Sequence, residues 1–301
     1  MSVFSRLYHQ SFFLPQPTLT GKNLPDQHDR VTIITGGYAG VGFELARIIY
    51  QRNGIVYIAF RSQIKAETAI STIKAASPAS KGRLEFLQLD LSDLSTINAS
   101  AEAFVTREQL LDVLVNNAGV MAPPLDSKSA QGYELQMATN CLGPFLFTKL
   151  LLPSPPGGVS IDACGGTTVT PHDKDKQANY GASKTGNVFL ASELARRYGD
   201  SVQSNAFNPG NLRTELQRNM GGATRWVVER VLLYPPVYGG YTELFAGWAE
   251  EAGRREMNGG YVIPWGRFGD VRADVQAEIG KEGGKAERFW DWCERETEGY
   301  L

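Results

Sequence analysis

Tyr180 and Lys184 stand four residues apart in "YGASK". On a helix that spacing projects both side chains from one face. A phenol with a pKa of about 10 is a poor base at neutral pH, and an ammonium beside it favours the phenolate. A tyrosine so placed can give or take the proton of an alcohol or carbonyl oxygen while a hydride moves at the adjoining carbon. The bland alternative is a Tyr–Lys pair on a surface helix. Deciding between the two needs the residues around it.

A second group capable of chemistry is "TGGYAGVG", with Gly36, Gly40 and Gly42 following the apolar run "VTIIT". Glycines at a strand-to-helix junction let the backbone turn tightly and approach a pyrophosphate. The pyrophosphate then sits on the positive amino end of the helix expected over residues 41–53. A site for NAD would place Asp or Glu at the end of the second strand, for the ribose 2′-hydroxyl. The chain instead reads "AFRS" there, and the Arg61 guanidinium favours a 2′-phosphate, so NADP is the expected cofactor. The bland reading of Arg61 is a solvated surface charge. Asp90 and Leu91, after the third strand, lie where an adenine edge would pass; Asp90 as a helix cap is the other reading.

The elements that must position these groups alternate from residue 31. The strand-like runs "VTIITGG", "IVYIAF", "RLEFLQLD", "LDVLVNNAG", "VQSNAFN" and "GGYVIP" are separated by helical patterns. Helices are expected over Gln63–Ala76, Tyr133–Leu152 and Tyr180–Tyr198, with an apolar helical region running to about Ala252. Such alternation means α/β: a parallel sheet with helices on both faces. No linker divides the 301 residues, so one domain is expected, with an extended arm over 1–29 and a substrate-covering helical region over 210–253. A 42% apolar content supports a real core, and a net charge of −2 without a basic stripe argues against nucleic acid. The three cysteines, Cys141, Cys164 and Cys293, fit neither a disulfide framework nor a zinc site and point to a reducing compartment. No run reaches membrane-spanning length, so the cytoplasm is the expected location; no metal is expected.

Taken together, "TGGYAGVG", "NNAG", "YGASK" and "NPGNLRT" resemble the short-chain dehydrogenase/reductase family. "NNAGVMAPP", "NCLGPFLFTKLLLP" and "SELARRYG" look like its retinol-dehydrogenase-like and WW-domain-oxidoreductase-like branch, in its fungal form. The resemblance covers about residues 1–270. It implies a doubly wound Rossmann sheet, with Tyr180 as acid/base and Lys184 as its partner. Asn140, in "ATNCLG", matches the asparagine that holds a water in the proton relay, and Asn116 matches a residue tying the central strands together. The cofactor would touch Gly36, Tyr38, Gly40, Val41 and Gly42 on one side, with Asn117 between. Pro209, Gly210 and Thr214 match the loop at its nicotinamide half. A small, largely apolar substrate would lie under Trp226, Val227, Leu232, Leu233, Tyr234 and Tyr238, whose bland reading is ordinary packing. The implied activity is an NADP-dependent ketoreductase or alcohol dehydrogenase, with a fungal-type role in secondary metabolism; a homo-oligomer is compatible with it.

The pattern breaks before Tyr180. Relatives run through an apolar fifth strand ending in serines, one of which polarises the substrate carbonyl. Here the chain reads "SPPGGVSIDACGGTTVT", with Asp162 inside the sole strand candidate. Three readings follow. The fifth strand is shortened to Val159–Cys164, and Thr167 or Thr168, or else Ser160, supplies the hydroxyl. Alternatively the strand is lost, by divergence or an error in the gene model, leaving two unpaired edges. Or the site has left redox duty and serves an isomerase, a cyclase or a silent NADP-binding protein.

Overall fold

The computed structural model describes residues 14–152, 158–163, 175–213 and 233–301. Eight strands form one sheet in the order β3-β2-β1-β4-β5-β6-β7-β8. They are β1 (Val31–Thr35), β2 (Ile55–Phe60), β3 (Arg83–Gln88), β4 (Val113–Asn116), β5 (Gly158–Ala163), β6 (Val202–Phe207), β7 (Tyr261–Ile263) and β8 (Arg267–Phe268). The first seven pair in parallel, and β8 returns antiparallel against β7. This is the doubly wound Rossmann order, in which the sequence of strands reverses between β1 and β4.

The fifth strand is present. Gly158–Ala163 spans six residues, as many as β6, and pairs in parallel with both neighbours, Val115 opposite Ile161 and Ser160 opposite Ser204. The reading of a lost central strand is therefore corrected, whereas the strand expected over Val159–Cys164 is found one residue earlier. The Asp162 backbone sits opposite Asn116, within the parallel ladder. Thr167 and Thr168 lie outside the described residues.

Successive strand residues enter opposite faces. Ile33, Tyr57 and Leu114 join one apolar cluster, whereas Ile34, Val56, Ile58 and Val115 join the other. On the second face lie α1 (Gly40–Gln51) and α2 (Gln63–Ala76). The first buries Leu45, Ala46, Ile48 and Ile49 at helical spacing, the second Ala66, Ala69 and Ile73. On the first face lies α3 (Ile97–Val105), after the short turn Leu94–Thr96 whose N-cap is Asp93.

The single long helix expected over Tyr133–Leu152 is instead α4 (Leu135–Met137), a π-helical turn (Ala138–Leu142) and α5 (Gly143–Leu151). Next, α6 (Lys176–Tyr198) begins where the Asp175 carboxylate accepts from the amides of Gln177 and Ala178 at 2.9 and 3.1 Å. Then come α7 (Pro236–Trp248), α8 (Ala273–Gln276) and α9 (Lys285–Thr297). The last lies on α6 and α5, with Phe289, Trp290 and Cys293 buried in the first cluster. Lys149 pairs with Glu294 at 2.9 Å and Arg197 with Asp291 at 3.1 Å across that contact.

Residues 14–30 of the amino-terminal arm run over the end of α1. Leu24 is buried, and Arg52 donates to the Gly21 carbonyl at 2.8 Å. No described helix is long and apolar enough to cross a membrane.

Candidate active site

The carboxyl ends of β1 and β4 meet at the strand-order reversal, where a crevice opens beyond the sheet. Thr35, the last residue of β1, stitches the two strands. Its hydroxyl donates to the Val115 carbonyl at 3.3 Å and accepts from the Ala118 amide at 2.9 Å. The Asn117 side chain donates to the Thr35 carbonyl at 2.8 Å. The glycine loop turns over this seam, with Gly36 at φ +69°, a region that disfavours a β-carbon. A β-carbon on Gly42 would stand 2.5 Å from Asn117 Nδ2, so the helix can start this close only with glycine. No side chain caps α1 and its first turn carries no acid, which leaves the first amides and the helix dipole to an anion. The cradle therefore fits the pyrophosphate of a dinucleotide.

Tyr180 and Lys184 share one face of α6. Lys184 is 6% exposed, and its Nζ lies 5.5 Å from the centroid of the half-buried Tyr180 ring. Asn140 reaches them from the π-turn. A β-carbon at Gly119 would stand 3.2 Å from Asn140 Oδ1 and 3.3 Å from Lys184 Nζ, so both side chains converge over the loop after β4. The Asn140 amide is fully engaged as a donor. Its Nδ2 donates to the Val120 carbonyl at 3.1 Å and to Ser183 Oγ at 2.9 Å, while Oδ1 accepts from the Val120 amide at 2.8 Å. Both donor hydrogens are thus spent, so any further donor must meet another atom of this residue. Pro144 bears on its carbonyl. Having no amide hydrogen, it withholds the donor that an α-helix would aim at the Asn140 carbonyl. A π-turn at this place fits the tendency of such bulges to mark functional sites.

The model of the short chain dehydrogenase family matches residues 30–224. The chain belongs to the short-chain dehydrogenase/reductase family. It is 43% identical to a short-chain dehydrogenase/reductase of Phomopsis amygdali over 96% of each chain. It is 39% identical to the short-chain dehydrogenase/reductase pkfC of Emericella nidulans, covering 95% of this chain and 98% of that one. Among solved structures, an uncharacterized protein of Mycobacterium Paratuberculosis superposes with a TM-score of 0.71 at 26% identity, over 93% of this chain and 97% of that one. The RhlG/NADP active-site complex of Pseudomonas aeruginosa gives a TM-score of 0.64 at 21% identity, over 82% and 97%. The family is one of oxidoreductases that bind a nicotinamide cofactor.

Several expected residues of this short-chain dehydrogenase/reductase make defined contacts within the protein. Asn116 does not tie the central strands: its Nδ2 donates to Thr148 on α5 at 3.1 Å, and the seam belongs to Thr35 and Asn117. The Asn117 amide donates to Thr35 and abuts the glycine loop, so it braces the cradle from below. Asp90 closes its own turn, accepting from the Ser92 amide and hydroxyl at 2.9 and 2.6 Å, while Asp93 caps the helical turn that follows. The Leu91 side chain is core, and its backbone packs closely against Gly143 at the start of α5. Tyr38 stacks on Phe60 at 3.9 Å between ring centroids, with Lys65 Nζ 5.6 Å from the Tyr38 ring.

Arg61 is exposed just beyond β2. Pro209 and Gly210 follow β6, with Gly210 at φ +87° against Trp265. Val41 packs beside Leu212 and Trp265. Tyr234 and Tyr238 lie on Trp265 at 4.9 and 5.1 Å, an aromatic cluster next to the Gly210 loop. Thr214, Trp226, Val227 and Leu232 lie outside the described residues. Thr35, Ser183 and Trp265 were missed as site-building residues. For the first two the signal was at hand, a hydroxyl at the seam end of β1 and another inside "YGASK".

Proposed function

We propose that this chain is an NADP-dependent ketoreductase or alcohol dehydrogenase acting on a small to medium, largely apolar carbonyl or alcohol. The observation that carries the reading is the convergence of Lys184 and Asn140 over Gly119, with the Tyr180 ring 5.5 Å from Lys184 Nζ, beside a glycine cradle that fits a dinucleotide. The cofactor supplies or accepts the hydride when bound. Tyr180 exchanges the proton at the substrate oxygen, and Lys184 holds its ammonium against that phenol. Asn140, clamped at its side chain, offers its carbonyl to the proton path. Gly36, Gly40 and Gly42 keep backbone amides close to the pyrophosphate, and the nicotinamide half is assigned to Pro209 and Gly210, with Thr214 by resemblance alone.

Preference for the phosphorylated dinucleotide rests on Arg61. It precedes α2, whose N-cap Ser62 makes no side-chain cap and whose first turn has no acid, so positive potential gathers at that corner. RhlG, of the same fold, was solved with NADP. The aromatic cluster of Tyr234, Tyr238 and Trp265 gives that end of the crevice an apolar wall, which suits an apolar substrate. A soluble cytoplasmic enzyme of fungal secondary metabolism is the setting we assign to it. The carbonyl-polarising hydroxyl falls to Thr167, Thr168 or Ser160 of the fifth-strand segment.

The test is NADPH oxidation by purified protein against a set of apolar ketones and quinones, with the alcohol quantified. Stoichiometric alcohol formation, and a kcat/KM for NADPH well above that for NADH, are expected. Tight NADPH binding without oxidation by any of them would replace this reading with a silent binding protein or a non-redox catalyst.

A further inference from the structure

The oxidoreductase reading assigns work to Tyr180, Lys184 and Asn140 but leaves open what holds the π-turn of Asn140 in register with α6. One buried hydroxyl joins them. Ser183 is fully buried, and its Oγ donates to the Tyr180 carbonyl at 2.9 Å while accepting from Asn140 Nδ2 at 2.9 Å. The Ser183 carbonyl in turn accepts from Cys141 Sγ at 3.0 Å, so both residues of the Asn140–Cys141 pair are bonded to this one position. The Asn140 side chain continues the path to the Val120 backbone in the loop after β4. A chain of bonds thus runs from Val120 through Asn140 and Ser183 to the backbone of Tyr180. Lys184, the next residue on α6, meets Asn140 over Gly119.

Serine suits this place for a specific reason. The link needs one atom that donates and accepts at once, and a hydroxyl does both. Alanine would leave an Asn140 N–H without an acceptor in a buried setting and free the amide to turn. Resting on the oxidoreductase reading, we infer that Ser183 is a positioning residue of the reaction: it fixes the Asn140 amide, and with it the Asn140 carbonyl and Lys184, relative to the Tyr180 phenol. It touches neither substrate nor cofactor, and it acts through Asn140.

The experiment compares wild type, Tyr180→Phe, Ser183→Ala, Ser183→Thr, Asn140→Ala and the Ser183→Ala/Asn140→Ala double variant. Each is assayed for NADPH oxidation with phenanthrenequinone as the carbonyl probe, and NADPH affinity is read from nicotinamide fluorescence. Ser183→Ala is expected to lower kcat by about 10- to 100-fold, the scale of a sub-ångström misplacement, with NADPH affinity and KM unchanged. Ser183→Thr, which retains the hydroxyl, is expected to recover kcat. The double variant should be no slower than Asn140→Ala alone, because both changes cut one link.

If Ser183→Ala does not fold, Ser183→Cys, which keeps the volume but donates weakly, should show the same kcat loss. Full kcat in Ser183→Ala, loss that threonine does not rescue, or additive losses in the double variant would overturn the assignment while Tyr180→Phe remains inactive. Undiminished turnover in Tyr180→Phe, or none in the wild type, would overturn the oxidoreductase reading itself, and the role of Ser183 with it.

Discussion

At the scale of single residues, the proposed preference for NADP rests on Arg61 alone. Its guanidinium is exposed at the end of β2 beside an uncapped helix, where an acid would be expected for the unphosphorylated dinucleotide. Charge-assisted hydrogen bonds contribute roughly 1.5–3 kcal/mol. Arg61→Asp should therefore move the ratio of kcat/KM for NADPH over NADH by about 10- to 100-fold towards NADH. An unmoved ratio would remove Arg61 from the site. Gly42→Ala tests the cradle. Its methyl would meet an Asn117 amide already held by Thr35, and overpacking of that kind costs about 1–3 kcal/mol. NADPH affinity should fall by about tenfold or more, measured by calorimetric titration.

The glycines and Arg61 were legible as residue types at a fixed offset from a strand end, and the Tyr–Lys pair by its four-residue spacing on a helix. Asn116 was misread for a physical reason. Two adjacent asparagines at a strand end look alike in sequence, and only the pleat decides which amide turns towards β1.

Among the elements, the helix around Asn140 carries the instructive difference. Its apolar residues keep helical spacing from Leu135 to Leu151, so the pattern predicts one continuous helix. A single π-turn hardly disturbs that pattern, and Pro144 was its visible trace. The carboxy-terminal α9 was legible but unread. Ala286, Phe289, Trp290, Cys293 and Thr297 recur at helical spacing and are the residues that it buries. Trp290 packs edge-to-face on Phe145 at 4.9 Å, so Trp290→Ala should cost about 3–5 kcal/mol of stability in denaturant unfolding, with KM for NADPH unchanged in the folded fraction.

Glu243 on α7 is fully buried, and neither carboxyl oxygen has a hydrogen-bond partner among the described residues. Burial pushes its pKa well above the usual carboxylate range, so the folded chain keeps it protonated. The unfolded chain ionises above about pH 4.3, loses its proton first, and grows favoured as pH rises until the folded-state value is reached. Glu243→Met should therefore raise the unfolding midpoint by roughly 2–4 °C at pH 8, with the gain shrinking towards pH 4.5. A gain independent of pH would show that the carboxyl is not held neutral.

For the whole molecule, strand–helix alternation was enough to predict a parallel sheet covered on both faces. The strand order β3-β2-β1-β4-β5-β6-β7 then places the glycine loop and the "NNAG" turn side by side at the reversal. The two-residue β8 and the residues of β5 were hard to read for opposite reasons. The former is too short to show a period, and the latter puts Asp162 into a central ladder where an apolar residue is expected. That ladder is nevertheless continuous from β4 through β5 to β6, so the sheet beside α6, the helix of Tyr180, is unbroken.

The proposed activity stands on that tyrosine. Its most direct test is NADPH-dependent reduction of phenanthrenequinone by Tyr180→Phe, with NADPH binding followed in the same preparation. The expected result is a kcat lower by about 10²- to 10⁴-fold with the affinity for NADPH retained, because general acid–base catalysis contributes on that scale. A Tyr180→Phe protein that binds NADPH and turns over as fast as the wild type would contradict it.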